Sequence, residues 1–215
     1  MGIVSILFIW FGEPNADESV LTREDGVVEN LSVIFYMISL IFSFISIFKV
    51  ECKLLPILWV VLCFVFIGEE TSWGQRFFHY SVPAVEQMSA QNEFNLHNLE
   101  IFQGGSLTNP SIGLSAFFKS QNLFRLGFFS YFLVIPVMMY IPIFKELMSK
   151  VGYTMPDKGF TIVLLLVFVL SFVLVPFSSS SIRSSFAETR EMLYAFFIMA
   201  YVIAYVLPNK TKTTS

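Results

Sequence analysis

Apolar residues in this chain come in long uncharged runs, without the one-in-three-or-four spacing of a water-facing helix or the alternation of a half-buried strand. Leu31 to Phe48 is uncharged throughout, long enough for a transmembrane helix. Leu54 to Gly68 follows, with Pro56 near its start, where proline is tolerated. As a helix that run covers about 22 Å, less than the ~30 Å hydrocarbon core. The pattern therefore predicts a helix continuing through Glu69 and Glu70 towards Val82-Pro83, where proline stops it. Three further runs read as spans, and Pro136 and Pro142 are expected to kink the first of them. The predicted spans are 31–48, 54–70, 126–144, 160–177 and 187–207. Ile3 to Phe11 is apolar but reaches only about 13 Å as a helix, too short to span.

The polar segments between the runs carry their own signals. Gly12 to Asn30 is acidic, and Thr22-Arg-Glu-Asp25 has capping-box spacing before the first span, so Asp25 reads as a helix cap. Lys49 to Lys53 is a tight basic turn. Pro83 to Asn122 is the longest polar stretch, within an outer loop of about 71–122, and short interfacial helices are expected around Val85 to Ala90 and Phe94 to Phe102. Lys145 to Lys158 reads as a basic loop and Ser178 to Ser185 as a serine-rich turn. Ser185-Phe-Ala-Glu188 is again a capping-box pattern, placing Glu188 at the start of the last helix. The fold expected is an all-α integral membrane protein: five transmembrane helices, a short N-terminal apolar helix and a structured outer loop over the bundle.

Composition agrees. The chain has 215 residues, 55% hydrophobic and 13% charged, with 26 phenylalanines; soluble domains are nearer a quarter charged. Cys52 lies in a polar turn and Cys63 in an apolar run, at different depths, which disfavours a disulfide. The start of the chain lacks the basic segment and small-residue cleavage site of a signal peptide.

The net charge of −3 conceals an asymmetry. Alternating sides put Lys49, Lys53, Lys145, Lys150, Lys158, Lys210 and Lys212 together, and all five arginines with thirteen of the sixteen acids opposite. The positive-inside rule assigns the lysine side, with the C-terminus, to the cytoplasm. The acidic loop, the segment from Glu69 to Glu100 and the start of the last helix then face outward.

Candidate chemistry concentrates on that outer side. Glu69 and Glu70 close a short apolar run, an expensive place for two acids. On a continuing helix, Glu69, Trp73, Arg76 and Tyr80 share one face, while Gln75 and His79 share another. Both histidines, His79 and His97, fall in this region. Glu69, Glu70, His97 and Glu191 are the candidate catalytic residues; Arg76, Gln75, Asn95 and Asn98 are candidate substrate contacts. Glu69, His97, Glu188 and Glu191 could hold a divalent metal and activate water. Without metal, a desolvated glutamate can serve as acid or base, and Arg76 can grip a phosphate or carboxylate. Blander readings stand beside these: Glu188 as a cap, His97 as a hydrogen-bonded structural residue, Trp73 and Tyr80 as interface aromatics.

Four motifs carry a resemblance: Arg23-Glu-Asp-Gly26 with Glu29, Gly68-Glu-Glu-Thr-Ser-Trp-Gly-Gln-Arg76, Asn95-Leu-His-Asn98, and Glu188 with Glu191. With them the chain resembles a family of uncharacterised bacterial polytopic membrane proteins. That resemblance covers most of the chain and implies an inner-membrane location and a shared site, without an activity. The Glu69-Glu70 pair followed by Arg76 is also similar, more weakly, to intramembrane glutamate proteases of the CAAX-processing type. Their arginine stands closer to the paired acids, and neither histidine here fits their spacings.

Two functions follow as expectations. One is a membrane-embedded hydrolase at the outer leaflet, acting on an amphiphilic, lipid-like substrate. The other is a non-catalytic sensor or assembly subunit, with a homo-oligomeric or protein partner, for example in envelope stress or phage defence. A transporter is disfavoured, since no charge lies mid-span and no repeat is present. Nucleic-acid binding has no support, since no aromatic-basic patch is present.

Overall fold

A computed structural model describes residues 26–89, 94, 120–174 and 180–207. The expectations for Ile3 to Phe11, Thr22 to Asp25, the loop helix at Phe94 to Phe102, and His97, Asn95 and Asn98 lie outside the described residues. Among the described residues all regular structure is helical: α1 (Val27–Ile47), α2 (Leu54–Glu70), α3 (Gln75–Phe78), α4 (Pro83–Glu86), α5 (Ser120–Phe129), α6 (Ile135–Met138), α7 (Pro142–Lys150), α8 (Lys158–Leu174) and α9 (Ser180–Tyr201). A π turn, Ser130–Val134, joins α5 to α6, and a second, Val202–Val206, extends α9.

Among the described residues, three stretches are long and apolar enough to cross a membrane: Val27–Ile47, Gln121–Met138 and Glu188–Val206. The 17-residue helix α2 reaches about 26 Å, just short of a typical hydrocarbon core, and the described part of α8 has the same length.

α1 packs chiefly against α2 and α9, and its two faces are inverted relative to a water-soluble helix. Ser32, Tyr36, Ser39, Ser43 and Ser46, spaced four and three apart, are buried. Ile34, Met37, Ile41 and Phe44 on the outer face are about half exposed. Small residues on the seam let helix backbones approach closely. The seam hydroxyls of Ser39 and Ser46 donate to the carbonyls of Phe35 and Phe42, at 2.7 and 2.8 Å, so they enter the interior already satisfied.

α9 is the central helix, with Tyr194, Ala195, Tyr201 and Val202 at most 2% exposed. Tyr194 stacks on Phe168 with ring centres 4.7 Å apart and meets Phe128 edge-on at 4.6 Å. The core is a column of aromatic rings between α5, α8 and α9, continued downward by Phe132, Phe160 and Tyr201.

Several element boundaries depart from the sequence reading. α2 ends at Glu70 and does not run on towards Val82: Ser72, Trp73 and Gly74 have φ of 47°, 53° and 88°, and three successive left-handed residues turn the chain off the helix axis. The shared face of Glu69, Trp73, Arg76 and Tyr80 is therefore lost. The third stretch is already helical at Ser120, six residues before the predicted start of 126. Pro136, which lacks an N–H, is accommodated by the π turn before it. Pro142 produces no kink within a span; it occupies the first turn of a separate helix, α7. α7 also replaces part of the expected basic loop. α9 starts at Ser180, inside the expected serine-rich turn, so Glu188 sits more than two turns into the helix and cannot be its cap. At the other end of the chain's described part, Gly26 caps α1.

The bundle has two chemically distinct ends. At one, the Cys52 thiol donates to the Lys150 carbonyl at 3.3 Å, Gly152 packs against Cys52 at a φ of 76°, and the Tyr205 hydroxyl donates to the Asp157 carboxylate. The Lys49–Lys53 turn, the segment from Lys150 to Lys158 and the end of α9 are thereby brought together. Glu69, Glu70, Arg125, Arg190 and Glu191 lie towards the opposite end.

Candidate functional site

The polar end is assembled from four helices. Tyr36 of α1 is buried, 3% exposed, one helical turn along the seam from Ser32 and Ser39. Glu70 closes α2, and Glu191 projects from α9. Both carboxylates are close enough to Tyr36 for their charges to act on its hydroxyl. Two acids from different helices thus act on one buried phenol.

Cations stand at the same end. Arg190 is 9% exposed and feels the charges of Arg125, Tyr194 and Glu191. Arg125, from α5, is also the guanidinium placed to serve the Tyr194 hydroxyl, which is buried without a well-aligned hydrogen bond among the described residues. Asn122, one turn before Arg125, accepts a long 3.5 Å hydrogen bond from it. A buried charge costs several kcal/mol unless an opposite charge compensates, and the Glu191 charge acts on Arg190 in that direction. Each of Glu69, Glu70, Glu188 and Glu191 makes a polar or electrostatic contact within the fold.

Glu69 and Gln75 are engaged in holding the segment after α2. The Trp73 indole N–H donates to Glu69 Oε1 at 2.7 Å. The left-handed turn is what folds the Trp73 ring back over α2, so close to Gly68 that a Cβ there would lie 2.9 Å from it. The Tyr80 hydroxyl then donates to the Trp73 carbonyl at 3.0 Å. Gln75 Oε1 accepts from the Phe94 backbone N–H at 2.7 Å, and Tyr80 meets the Phe94 ring edge-on. Trp73 and Tyr80 are thus internal fasteners, and Gln75 ties Phe94 to the bundle. His79 is exposed, in a left-handed conformation after α3.

Of the residues expected to form the site, Glu70 and Glu191 both lie within electrostatic range of Tyr36. Glu69 faces Trp73. Glu188 lies on α9 one turn before Glu191. For Arg76 the backbone lies in α3, and its side chain is outside the description. His97, Asn95 and Asn98 lie outside the described residues. Among the described residues no three His, Cys, Asp or Glu side chains gather as a metal ion requires; the expected set of Glu69, His97, Glu188 and Glu191 includes His97.

Tyr36, Arg125, Arg190 and Tyr194 join the cluster without having been expected in it. Tyr36 had a signal, its place in a serine stripe of four-and-three spacing within an otherwise apolar run. Arg125 stood one residue before the predicted span and entered the sequence reading only as one of the five outer-side arginines. Tyr194 looked like one more aromatic in an aromatic-rich helix. No protein-family model, curated protein or solved structure matches this chain.

Proposed function

We propose that this chain is a multi-pass inner-membrane protein whose polar end lies at the outer leaflet and acts on an amphiphilic substrate by acid–base hydrolysis. What supports the reading is that Glu70 and Glu191, from different helices, both lie within electrostatic range of Tyr36, at the end of the bundle where Arg190 and Arg125 lie within range of each other. Two carboxylates around one hydroxyl can divide the work, one accepting a proton from water and the other donating one to the leaving group. The arginines can hold the anionic part of the substrate. His97, Asn95 and Asn98 of the NLHN segment, with Arg76, would complete the site from the loop over it, and a divalent metal held by glutamates and His97 would supply an activated water. The inverted faces of α1 support the membrane location, since an apolar outer face and a serine seam suit lipid as solvent. Five spans follow if α2 and α8 cross with the short polar ends they carry.

A second reading is favoured by the bonds of Trp73 to Glu69 and of Phe94 to Gln75. In it the polar end locks the outer loop to the bundle, and the protein is a sensor or assembly subunit whose buried charges give specificity.

One experiment separates the two. Detergent-purified protein is given lipid-anchored fluorogenic acyl esters and phosphodiesters, alongside Glu70→Gln, Glu191→Gln and Tyr36→Phe, with metal content measured on the same samples. Turnover that falls about 10²–10⁴-fold in both glutamine variants, with thermal stability kept, is the expected result. No turnover by the wild type, with all three variants less stable, replaces the hydrolase by the sensor or assembly reading.

A further inference from the structure

α7 has no buried residue, although it begins just past the end of the membrane-length stretch Gln121–Met138. Ile141 before it is extended, with φ −88° and ψ 119°, so α7 starts a new axis and does not prolong α6. Its other end is a Schellman motif. Gly152 takes a φ of 76°, its N–H donates to the Ser149 carbonyl at 3.0 Å, and the Tyr153 N–H donates to the Met148 carbonyl at 3.0 Å. The chain turns back there onto the bundle, where Tyr153 is buried and its hydroxyl donates to the Tyr131 carbonyl at 3.3 Å. The carbonyl of Lys150, the last residue of α7, accepts from the Cys52 thiol in the α1–α2 turn. Both ends of α7 are thus held where helices leave the bundle, and about 14 Å of helix joins them. A helix pinned at one level by both ends lies across the bundle axis.

Its side chains sort into strips four residues apart. Phe144 and Met148 are half-buried and mark the face on the bundle. Ile143 and Leu147 stand beside them but are 82% and 53% exposed. Lys145 and Ser149 are exposed on the far side. The exposed apolar strip is not an isolated patch: Tyr140 and Ile141 join it to Val137 and Val134, exposed side chains of the membrane-length stretch itself. An apolar strip backed by a polar one, continuous with a lipid-facing surface, is the pattern of a helix lying in the membrane–water boundary. Glu146 pairs with Lys150 at 2.8 Å, so apolar area, more than headgroup charge, is what holds such a helix there.

We infer that α7 lies in the plane of the membrane surface at the lysine-rich end, with Ile143 and Leu147 among the lipid acyl chains and Lys145 and Ser149 towards water. The inference rests on the membrane part of the proposed function and not on Glu70 chemistry. The test places a nitroxide in turn on Ile143→Cys, Leu147→Cys, Lys145→Cys and Ser149→Cys of the full chain, reconstituted in phosphatidylcholine vesicles. All four side chains are exposed, so the labels leave the core alone. Cys52→Ser removes the reachable native thiol and keeps a donor for the Lys150 carbonyl, while Cys63 is buried. Ile41→Cys, on the exposed face of α1, is the membrane reference. Collision with oxygen, set against collision with a water-soluble nickel complex, reports depth. The expected result is labels at 143 and 147 about 5–10 Å below the headgroup boundary, with those at 145 and 149 in water. Labels at 143 and 147 as open to nickel as the label at 145, beside a lipid-buried label at 41, would overturn the inference alone. Shielding of 143 and 147 from both reagents would overturn it too, since protein and not lipid would then cover the strip; dipolar broadening between labels would identify that protein as a second copy of this chain. A label at 41 open to nickel would remove the membrane reading itself.

Discussion

Single residues decide how the chain leaves α2. Gly68 is buried at the point where the Trp73 ring folds back, and an added Cβ would stand 2.9–3.0 Å from three ring carbons. Gly68→Ala gains about 1 kcal/mol of helix propensity but forces the indole away, so the expected net is a loss of about 1–3 kcal/mol. Trp73→Phe keeps the ring and removes the bond to Glu69, costing about 1–2 kcal/mol. Both are read as Tm in detergent; an unchanged Gly68→Ala would mean that the ring does not rest there. Tyr153 offers a pH test at the other end. Burial, and secondarily the nearby Tyr131 phenol, push its pKa above the usual value of about 10. The neutral phenol is then favoured in the folded state, so this contribution is complete below pH ~10 and declines as pH rises through the folded value. Tm should fall between about pH 9.5 and 11, less steeply in Tyr153→Phe; identical slopes would assign the fall to other groups. Little of this residue-scale detail was legible beforehand. The Glu69-Glu70 pair announced itself by cost, but the three left-handed residues beyond it contain only one glycine, so nothing in composition signalled the break.

At the scale of elements, the apolar runs were legible because lipid and core both select hydrophobic residues, and helix existence follows from length. Boundaries were not, because they depend on capping and proline placement: Pro142 starts α7, and α9 begins at Ser180 through residues that read as a turn. The orientation of α1 is a consequence of the same ambiguity. A run apolar all round leaves small polar residues as the guide to the packed face, and the serine stripe marks it. Ser39 is fully buried, so Ser39→Leu overpacks the seam and should cost about 1–3 kcal/mol. Ile41→Leu, on the exposed face, should change stability by less than about 0.5 kcal/mol. The comparison is made by thermal unfolding in one detergent. Equal effects at the two positions would mean that the seam is not the packed face.

At the scale of the molecule, the sorting of lysines from arginines and acids foretold that distant segments share an end, and the contact of Cys52 with Lys150 and Gly152 joins two lysine segments accordingly. Which end faces which compartment is a separate matter, carried by the positive-inside rule, and the native cysteines make it measurable. Cys63 is buried and Cys52 half-buried at the lysine end, so Cys52 is the thiol a reagent reaches. Ser81 is exposed beyond α3, at the polar end, and Ser81→Cys in a Cys52→Ser background moves the accessible thiol across the bundle. With a membrane-impermeant maleimide, Ser81→Cys should react in intact cells and Cys52 only in inverted vesicles. The opposite pattern would reverse the orientation and move the Glu70–Glu191 cluster to the cytoplasmic leaflet, where a substrate would have to come from inside. Labelling of both thiols from one side would mean that the two ends do not lie across a membrane. The serine seam would then need another explanation than lipid, and the outward-facing hydrolase would lose the depth that makes an amphiphilic substrate the natural one.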